Sequence, residues 1–221
     1  MTGFRRATMA ALALLVAGCP QVAPPDYGPY RAHMPRSIVV LPPLNETTSV
    51  DAPYAYLSTV SRPLAECGYY VLPVAVVDAF MKENGLPTPG EMQAVSLEKL
   101  HEVLGADAVL YVTITAWGQK YRVISSDTVV KAEVKLVDVG TGTTIWTGTA
   151  FGQQSSSAGQ TDPIAILISA VITQVLASFT DPAHDLARTA NGAMVFNPRQ
   201  GLLLGPFHPR ADEDVRGRAA E

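Results

Sequence analysis

The chain has 221 residues, a formal net charge of −4, 48% hydrophobic residues and 16% charged residues. This composition excludes a disordered chain and a strongly basic nucleic-acid-binding protein, because such chains lack the apolar surface that offsets the entropy cost of folding. One core-forming domain is the expectation for this length. The two cysteines are too few for the disulfide framework of a small secreted fold.

The N-terminus has the pattern of a bacterial export signal. Arg5 and Arg6 precede an uncharged, apolar run of about 10 residues, half of the roughly 20 that a bilayer-spanning helix needs. We therefore predict a signal peptide at residues 1–18 that is absent from the mature protein.

Residues 15–19, Leu-Val-Ala-Gly-Cys, resemble the lipobox of bacterial lipoproteins. The resemblance implies that Cys19 becomes the first mature residue and carries acyl chains, palmitate among them, that hold the protein on a membrane. Pro20 comes next, and because an aspartate there favours inner-membrane retention in the lipoprotein sorting pattern, we expect attachment to the outer membrane, facing the periplasm. The alternative is an ordinary secreted protein whose cysteine lies near the cleavage site by chance.

The mature chain divides into three parts. Residues 19–36 contain five prolines and no apolar period, which predicts an extended tether. Residues 37–180 carry the strand and helix patterns of a single α/β domain. Residues 181–221 are expected to form an irregular C-terminal extension.

The patterns between residues 37 and 180 predict a mixed sheet of about five strands, parallel early and antiparallel late, with helices packed on it. Residues 37–41 are a continuous apolar run, as expected for a strand buried on both faces. Residues 130–136 alternate strictly, so Lys131, Glu133 and Lys135 are expected on a solvent-exposed face. The other predicted elements are a helix around 57–64 that Pro63 breaks or kinks, a strand at 69–72, helices at 74–84 and 96–104, strands at 108–117 and 143–151, and a helix at 162–179.

No residue pattern predicts catalysis, a metal site or a cofactor. The four histidines share no spacing that would bring them to one metal ion. Cys67 is expected to be a small buried residue at a helix end, because Glu66 beside it is not placed to act as its base. Residues 140–142, Gly-Thr-Gly, join two strands and lack the helix N-terminus of a phosphate-binding loop. We therefore do not expect an enzyme.

Four segments resemble a bacterial lipoprotein family of unsettled function that includes a meningococcal surface antigen. They are residues 40–45, 63–73, 105–111 and 136–142, with the runs Gly-Tyr-Tyr-Val-Leu-Pro and Gly-Ala-Asp-Ala-Val-Leu-Tyr. The family is similar in fold to the N-terminal domain of TolB and the periplasmic domain of CsgG, and its members are often encoded beside a CsgG-like lipoprotein. The resemblance implies a lipid-tethered accessory protein that binds envelope proteins in assembly or export, with a CsgG-like lipoprotein as partner.

For such an accessory protein we also predict two contact surfaces and a homo-oligomer. One is the loop 45–51, which begins at Asn45 and Glu46, and the other is an apolar patch that either packs back on the domain or docks a partner. The patch consists of Leu202, Leu203 and Leu204.

Two other functions stay open at the level of sequence. One is an envelope hydrolase whose site is assembled from residues distant in the chain. The other is a small-molecule or glycan-binding module with exposed aromatic side chains, such as Tyr54, Tyr56 or Trp117, around one groove.

Overall fold

A six-stranded mixed sheet organises the fold. The computed structural model describes residues 25–121, 126–155 and 181–213. The expected signal peptide at 1–18, the acylation site Cys19 and the helix expected at 162–179 lie outside the described residues. The strands are β1 Ser37–Val40, β2 Leu44–Asn45, β3 Tyr70–Val71, β4 Ala108–Tyr121, β5 Ser126–Asp138 and β6 Thr144–Ser155.

The strand order is β3-β1-β4-β5-β6, and β2 pairs with β4 outside this path. Strand β1 runs parallel to β3 and β4, whereas β4, β5 and β6 form an antiparallel meander. The predicted change from parallel to antiparallel pairing is confirmed. The strands of the meander are longer than predicted, and β6 forms one edge of the sheet.

Helices cover parts of both sheet faces. They are α1 Gly28–His33, α2 Ala52–Glu66, α3 Val74–Glu83, α4 Pro89–Gln93, α5 Leu97–Leu104 and α6 Pro182–Val195. Ile38 and Val40 of β1 enter a larger core that α2 and α6 help to form, while Val39 and Leu41 enter a second core under α3, α4 and α5. This burial on both faces explains why β1 is apolar throughout.

Helix α2 runs through Pro63 to Glu66, so of the predicted break or kink, the break does not occur. Proline removes one N–H donor, but it lies close to the helix end, and the Cys67 N–H still bonds the Pro63 carbonyl at 2.9 Å. Between α3 and α5, where the sequence predicts no helix, the short helix α4 begins with a reciprocal capping box of Thr88 and Glu91.

Residues 181–213 are not an irregular extension, because α6 packs on the sheet. Asp181 caps it by accepting the N–H groups of Ala183 and His184 at 3.1 Å. Close approach to β6 depends on glycine, since a Cβ at Gly152 would lie 2.7 Å from Cγ of Leu186. Residues 181–213 therefore belong to the domain.

The predicted tether at 19–36 is also too long. Helix α1 forms within it, and Tyr27 and Tyr30 are buried in the larger core. The Tyr27 hydroxyl donates to the Gly201 carbonyl at 2.6 Å, and the hydroxyls of Tyr30 and Tyr69 share a hydrogen bond of 2.5 Å. The packed domain thus begins at Tyr27, ten residues before the first predicted strand.

Candidate functional site

One face of the β4–β5–β6 meander is exposed and mostly polar, although Phe151 of β6 is 57% exposed on it. Lys131 is half-buried and Glu133 and Lys135 are exposed, which confirms the alternation predicted from the sequence. Two cross-strand rows form the centre of this surface, which we call the open face. One row is Tyr111, Lys135 and Thr147, and the other is Thr113, Glu133 and Thr149.

A cleft of about 1160 Å³ lies over the open face. Residues of α4 and α5, including Gln93 and Leu97, form one wall. The cleft also reaches Pro25 and Gln200, and Gln200 lies beside the opposite face of β6, where the Trp146 indole N–H donates to its carbonyl at 3.0 Å. The cleft therefore passes around the edge of the sheet.

The charges of the open face are only partly paired. Lys131 Nζ lies 3.1 Å from Glu133 Oε1, whereas the Lys135 ammonium stands over the Tyr111 ring, 5.4 Å from its centroid. Within the described part of the chain, Lys135 has no ion-pair partner. Burial raises the pKa of Tyr111, so its hydroxyl stays neutral at physiological pH. The open face thus carries one uncompensated positive charge.

Strand β6 leaves a long main-chain edge free. In the three described stretches, no backbone hydrogen bond reaches its outer side. The strand is 12 residues long, with neither a charged residue nor a proline in it. The opposite edge strand, β3, has only two residues. Natural sheets protect long edges with charges, proline, bulges or covering segments. Strand β6 contains neither a charged residue nor a proline.

A serine, a histidine and an aspartate meet between α2 and α6, a grouping that the sequence did not reveal. Ser58 Oγ is 2.9 Å from His184 Nε2, but Asp185 Oδ1 is 3.8 Å from His184 Nδ1, too far for a hydrogen bond. Arg188 Nη2 approaches the same Nδ1 at 3.5 Å, and the Ser58 hydroxyl also donates to the Ala55 carbonyl. This geometry joins two helices and does not form a catalytic triad, in which the acid holds the histidine tautomer.

No group of three or more potential metal ligands occurs among residues 25–121, 126–155 and 181–213. In the same residues, no helix is long and apolar enough to cross a membrane.

The predicted contact residues fall into two groups. Asn45 and Glu46 are exposed, and the Asn45 side chain organises its loop by donating to the Ser49 carbonyl and accepting the Thr47 N–H. The leucine patch instead packs back on the domain. Leu202 and Leu203 are fully buried and Leu204 is half-buried, which corrects the idea of a docking patch there.

The aromatic residues suggested for a glycan groove do not share one. Tyr56 is fully buried, and Trp117 packs against the hydrophobic cores. Tyr54 is 48% exposed, with the Lys82 ammonium 4.9 Å from its ring centroid. Cys67 is buried at the end of α2, as predicted.

Comparison with known proteins decides the family. The model of the family described as "Putative lipoprotein GNA1162-like" matches residues 25–207, most of the chain. The chain belongs to this family. The match covers all the elements that form the sheet, α6 and the buried leucine segment, which agrees with their packing as one unit.

One sequence and one solved structure from Neisseria meningitidis support the assignment. The "Putative lipoprotein NMB1124/NMB1162" of serogroup B is 39% identical over 201 residues, which cover 90% of this chain and 93% of the relative. The crystal structure of lipoprotein GNA1162 is 41% identical, with a TM-score of 0.53 over 64% of this chain and 99% of that one. The family resemblance stated from the sequence is confirmed.

Proposed function

We propose that this protein is a lipid-anchored interaction module of the bacterial envelope, attached through Cys19 to the periplasmic face of the outer membrane. The observation that carries the proposal is the run at residues 15–19, which resembles a lipobox and stands directly upstream of a domain of a lipoprotein family. Acyl chains on Cys19 would contribute about 0.8 kcal/mol per buried methylene group, so several chains together give a stable anchor.

The packing of the N-terminal residues keeps the proposed domain near the membrane. Only seven residues lie between Cys19 and Tyr27, whose hydroxyl is hydrogen-bonded to the Gly201 carbonyl. A fully extended chain spans at most about 3.3–3.6 Å per residue, so this linker reaches less than about 30 Å. The domain therefore acts on partners close to the bilayer.

The proposed role is non-enzymatic and accessory, in envelope assembly or export. Its support is the family membership and the polar, accessible surface of the open face beside the exposed loop of Asn45 and Glu46. The specific partner we propose is a CsgG-like lipoprotein.

The anchor can be tested with the two cysteines of the chain, each the control for the other. Radiolabelled palmitate is fed to cells that express the wild type, Cys19→Ser or Cys67→Ser. We expect the label to be lost only in Cys19→Ser. Equal labelling of all three proteins would refute acylation at Cys19.

The interaction role is tested by crosslinking in intact cells, followed by purification from detergent-solubilised envelopes. An unrelated outer-membrane lipoprotein with the same tag is the control. Specific enrichment of an envelope protein is expected, and a CsgG-like lipoprotein is the predicted one. Recovery of the same proteins with both baits would count against an interaction module.

A further inference from the structure

We propose that β6 and the adjoining cleft bind an extended, acidic segment of a partner protein, which adds to the sheet as a strand beside β6. This inference rests on the proposed function, since it names the binding mode and the chemistry of the partner of an interaction module. It is carried by the free main-chain edge, the cleft that passes around that edge, and the unpaired charge on the open face.

The main-chain edge supplies the affinity. In a strand of 12 residues, every second residue directs its N–H and C=O away from the neighbouring strand, and β6 pairs only with β5 on its inner side. An added strand satisfies these groups with its own backbone, as in other proteins that bind extended peptides at a sheet edge. The absence of proline and charge from β6 leaves nothing in its sequence to prevent this pairing.

The cleft supplies room for the added strand. Its lining includes Thr147 and Thr149 on the open face, and Gln200, which Trp146 contacts on the other face of β6. A strand in this position therefore has space on both sides of the sheet. Because side chains alternate between faces, every second residue of the segment enters the cleft over the open face.

The charge of the open face selects an acidic segment. Lys131 and Glu133 neutralise each other, and Lys135 keeps its charge. Lys135 pairs across the ladder with Thr147 of β6. An added strand lies two strand spacings from β5, about 9.6 Å, a gap that a lysine and a glutamate side chain bridge from opposite sides. An acidic residue opposite Thr147 would thus meet Lys135.

Charge complementarity also favours a partner over a second copy of this chain. If β6 of one copy paired with β6 of another, the added strand would carry no carboxylate, because residues 144–155 contain no acidic residue. Lys135 would then remain unpaired in both copies.

The experiment uses the full-length chain purified in detergent and three synthetic peptides. The first is acetyl-Val-Thr-Val-Glu-Val-Thr-Val-amide, and the second has glutamine in place of glutamate. The third is the glutamate peptide with N-methyl groups on alternate backbone nitrogens, which removes main-chain donors and leaves the side chains unchanged. Binding is followed by fluorescence anisotropy of labelled peptides and by amide hydrogen exchange in residues 144–155.

The expected result is specific in three ways. The glutamate peptide binds and slows exchange in β6, while the N-methylated peptide does not bind. The glutamine peptide binds about two- to five-fold more weakly, as expected for the loss of one exposed ion pair. Lys135→Gln removes the difference between the two peptides, whereas the matched change Lys99→Gln, on the exposed side of α5 outside the cleft, preserves it.

Several results would overturn the proposal. Equal binding of the N-methylated peptide would exclude strand addition, and equal binding of the glutamate and glutamine peptides to the wild type would exclude the role of Lys135. Protection of the outward-directed β6 amides, those not bonded to β5, before peptide is added would show that the edge is already occupied. Protection that rises with protein concentration would identify a second copy, and protection independent of it would identify another segment of this chain. Any of these could occur while Cys19 is acylated and envelope partners are recovered, so this inference can fail without the proposed function.

Discussion

Replacing Gly68 with alanine tests whether the C-terminal segment is an integral part of the fold. Gly68 has a φ of +95°, and a Cβ on it would lie 2.5 Å from the backbone nitrogen of His208. The same segment is held by two backbone hydrogen bonds, from the Gly205 N–H to the Cys67 carbonyl at 2.8 Å and from the Phe207 N–H to the Gly68 carbonyl at 3.1 Å. Because the obstacle is backbone, the alanine cannot be accommodated by a side-chain rotation.

The expected loss follows from these contacts. A positive φ costs about 1–2 kcal/mol for a residue with a Cβ. Displacement of the segment would also break the two hydrogen bonds, each worth about 0.5–1.5 kcal/mol. We expect Gly68→Ala to lower the free energy of unfolding by about 2–5 kcal/mol, a large fraction of the roughly 5–15 kcal/mol that stabilises a typical domain.

Gly85 provides a matched control. Its φ is +84°, and a Cβ there would meet no atom within 4 Å, so Gly85→Ala carries the backbone cost alone. Urea unfolding, followed by tryptophan fluorescence, measures both variants. The Trp146 indole reports on the same region, since it donates to the Gln200 carbonyl. Equal destabilisation by the two substitutions would show that residues 205–208 do not pack against Gly68 as described.

Three further substitutions test other parts of the structure. The largest single influence on the pKa of Asp107 is burial, which would raise it. Three hydrogen bonds outweigh burial and hold this pKa below its usual value: they come from the N–H groups of Arg36 and Ser37 and from the Ser37 hydroxyl. Asp107→Asn should therefore lower stability by about 1–3 kcal/mol at pH 7, and the difference from wild type should disappear as the pH falls below about 3.9 and through the lower folded-state pKa. Gly152→Ala should destabilise by about 1–3 kcal/mol, because its Cβ would overlap Leu186. Gly192→Ala should stabilise by about 0.5–1 kcal/mol, since Gly192 lies within α6, has ordinary helical geometry and has open space around its Cα.

Each of these outcomes has a clear contrary result, read from urea or thermal unfolding. A stability difference for Asp107→Asn that persists unchanged from pH 7 to pH 2 would show that the carboxylate charge contributes nothing. Wild-type stability in Gly152→Ala would mean that α6 does not approach β6 closely. A loss of stability in Gly192→Ala would contradict the open space at that position.

The sequence predicted the elements whose residues show a strong pattern. The apolar run of β1 and the alternation at Lys131, Glu133 and Lys135 each have one physical explanation, and both predictions are confirmed. Helix α6 was missed because its buried positions include small or polar residues, among them Ala187, Ala190 and Asn191, whose apolar signal is weak.

Other features required information beyond the local pattern. Helix α1 was not predicted because its segment is rich in proline, although proline is well tolerated in the first turn of a helix. The capping-box spacing of Thr88 and Glu91 could have revealed α4. The exposed edge of β6 and the cleft beside it depend on strand order and on the positions of α4 and α5, which no local segment specifies.

The hydrogen bond from Tyr27 to Gly201 joins the two ends of the domain. If Cys19 is lipidated, a pull on the membrane anchor enters the fold through Tyr27 and Tyr30 and passes to Gly201 and Tyr69, rather than stripping β1 from the sheet. The segment around Gly201 therefore holds the N-terminal end of the domain, the end next to the proposed anchor, against the rest of the fold.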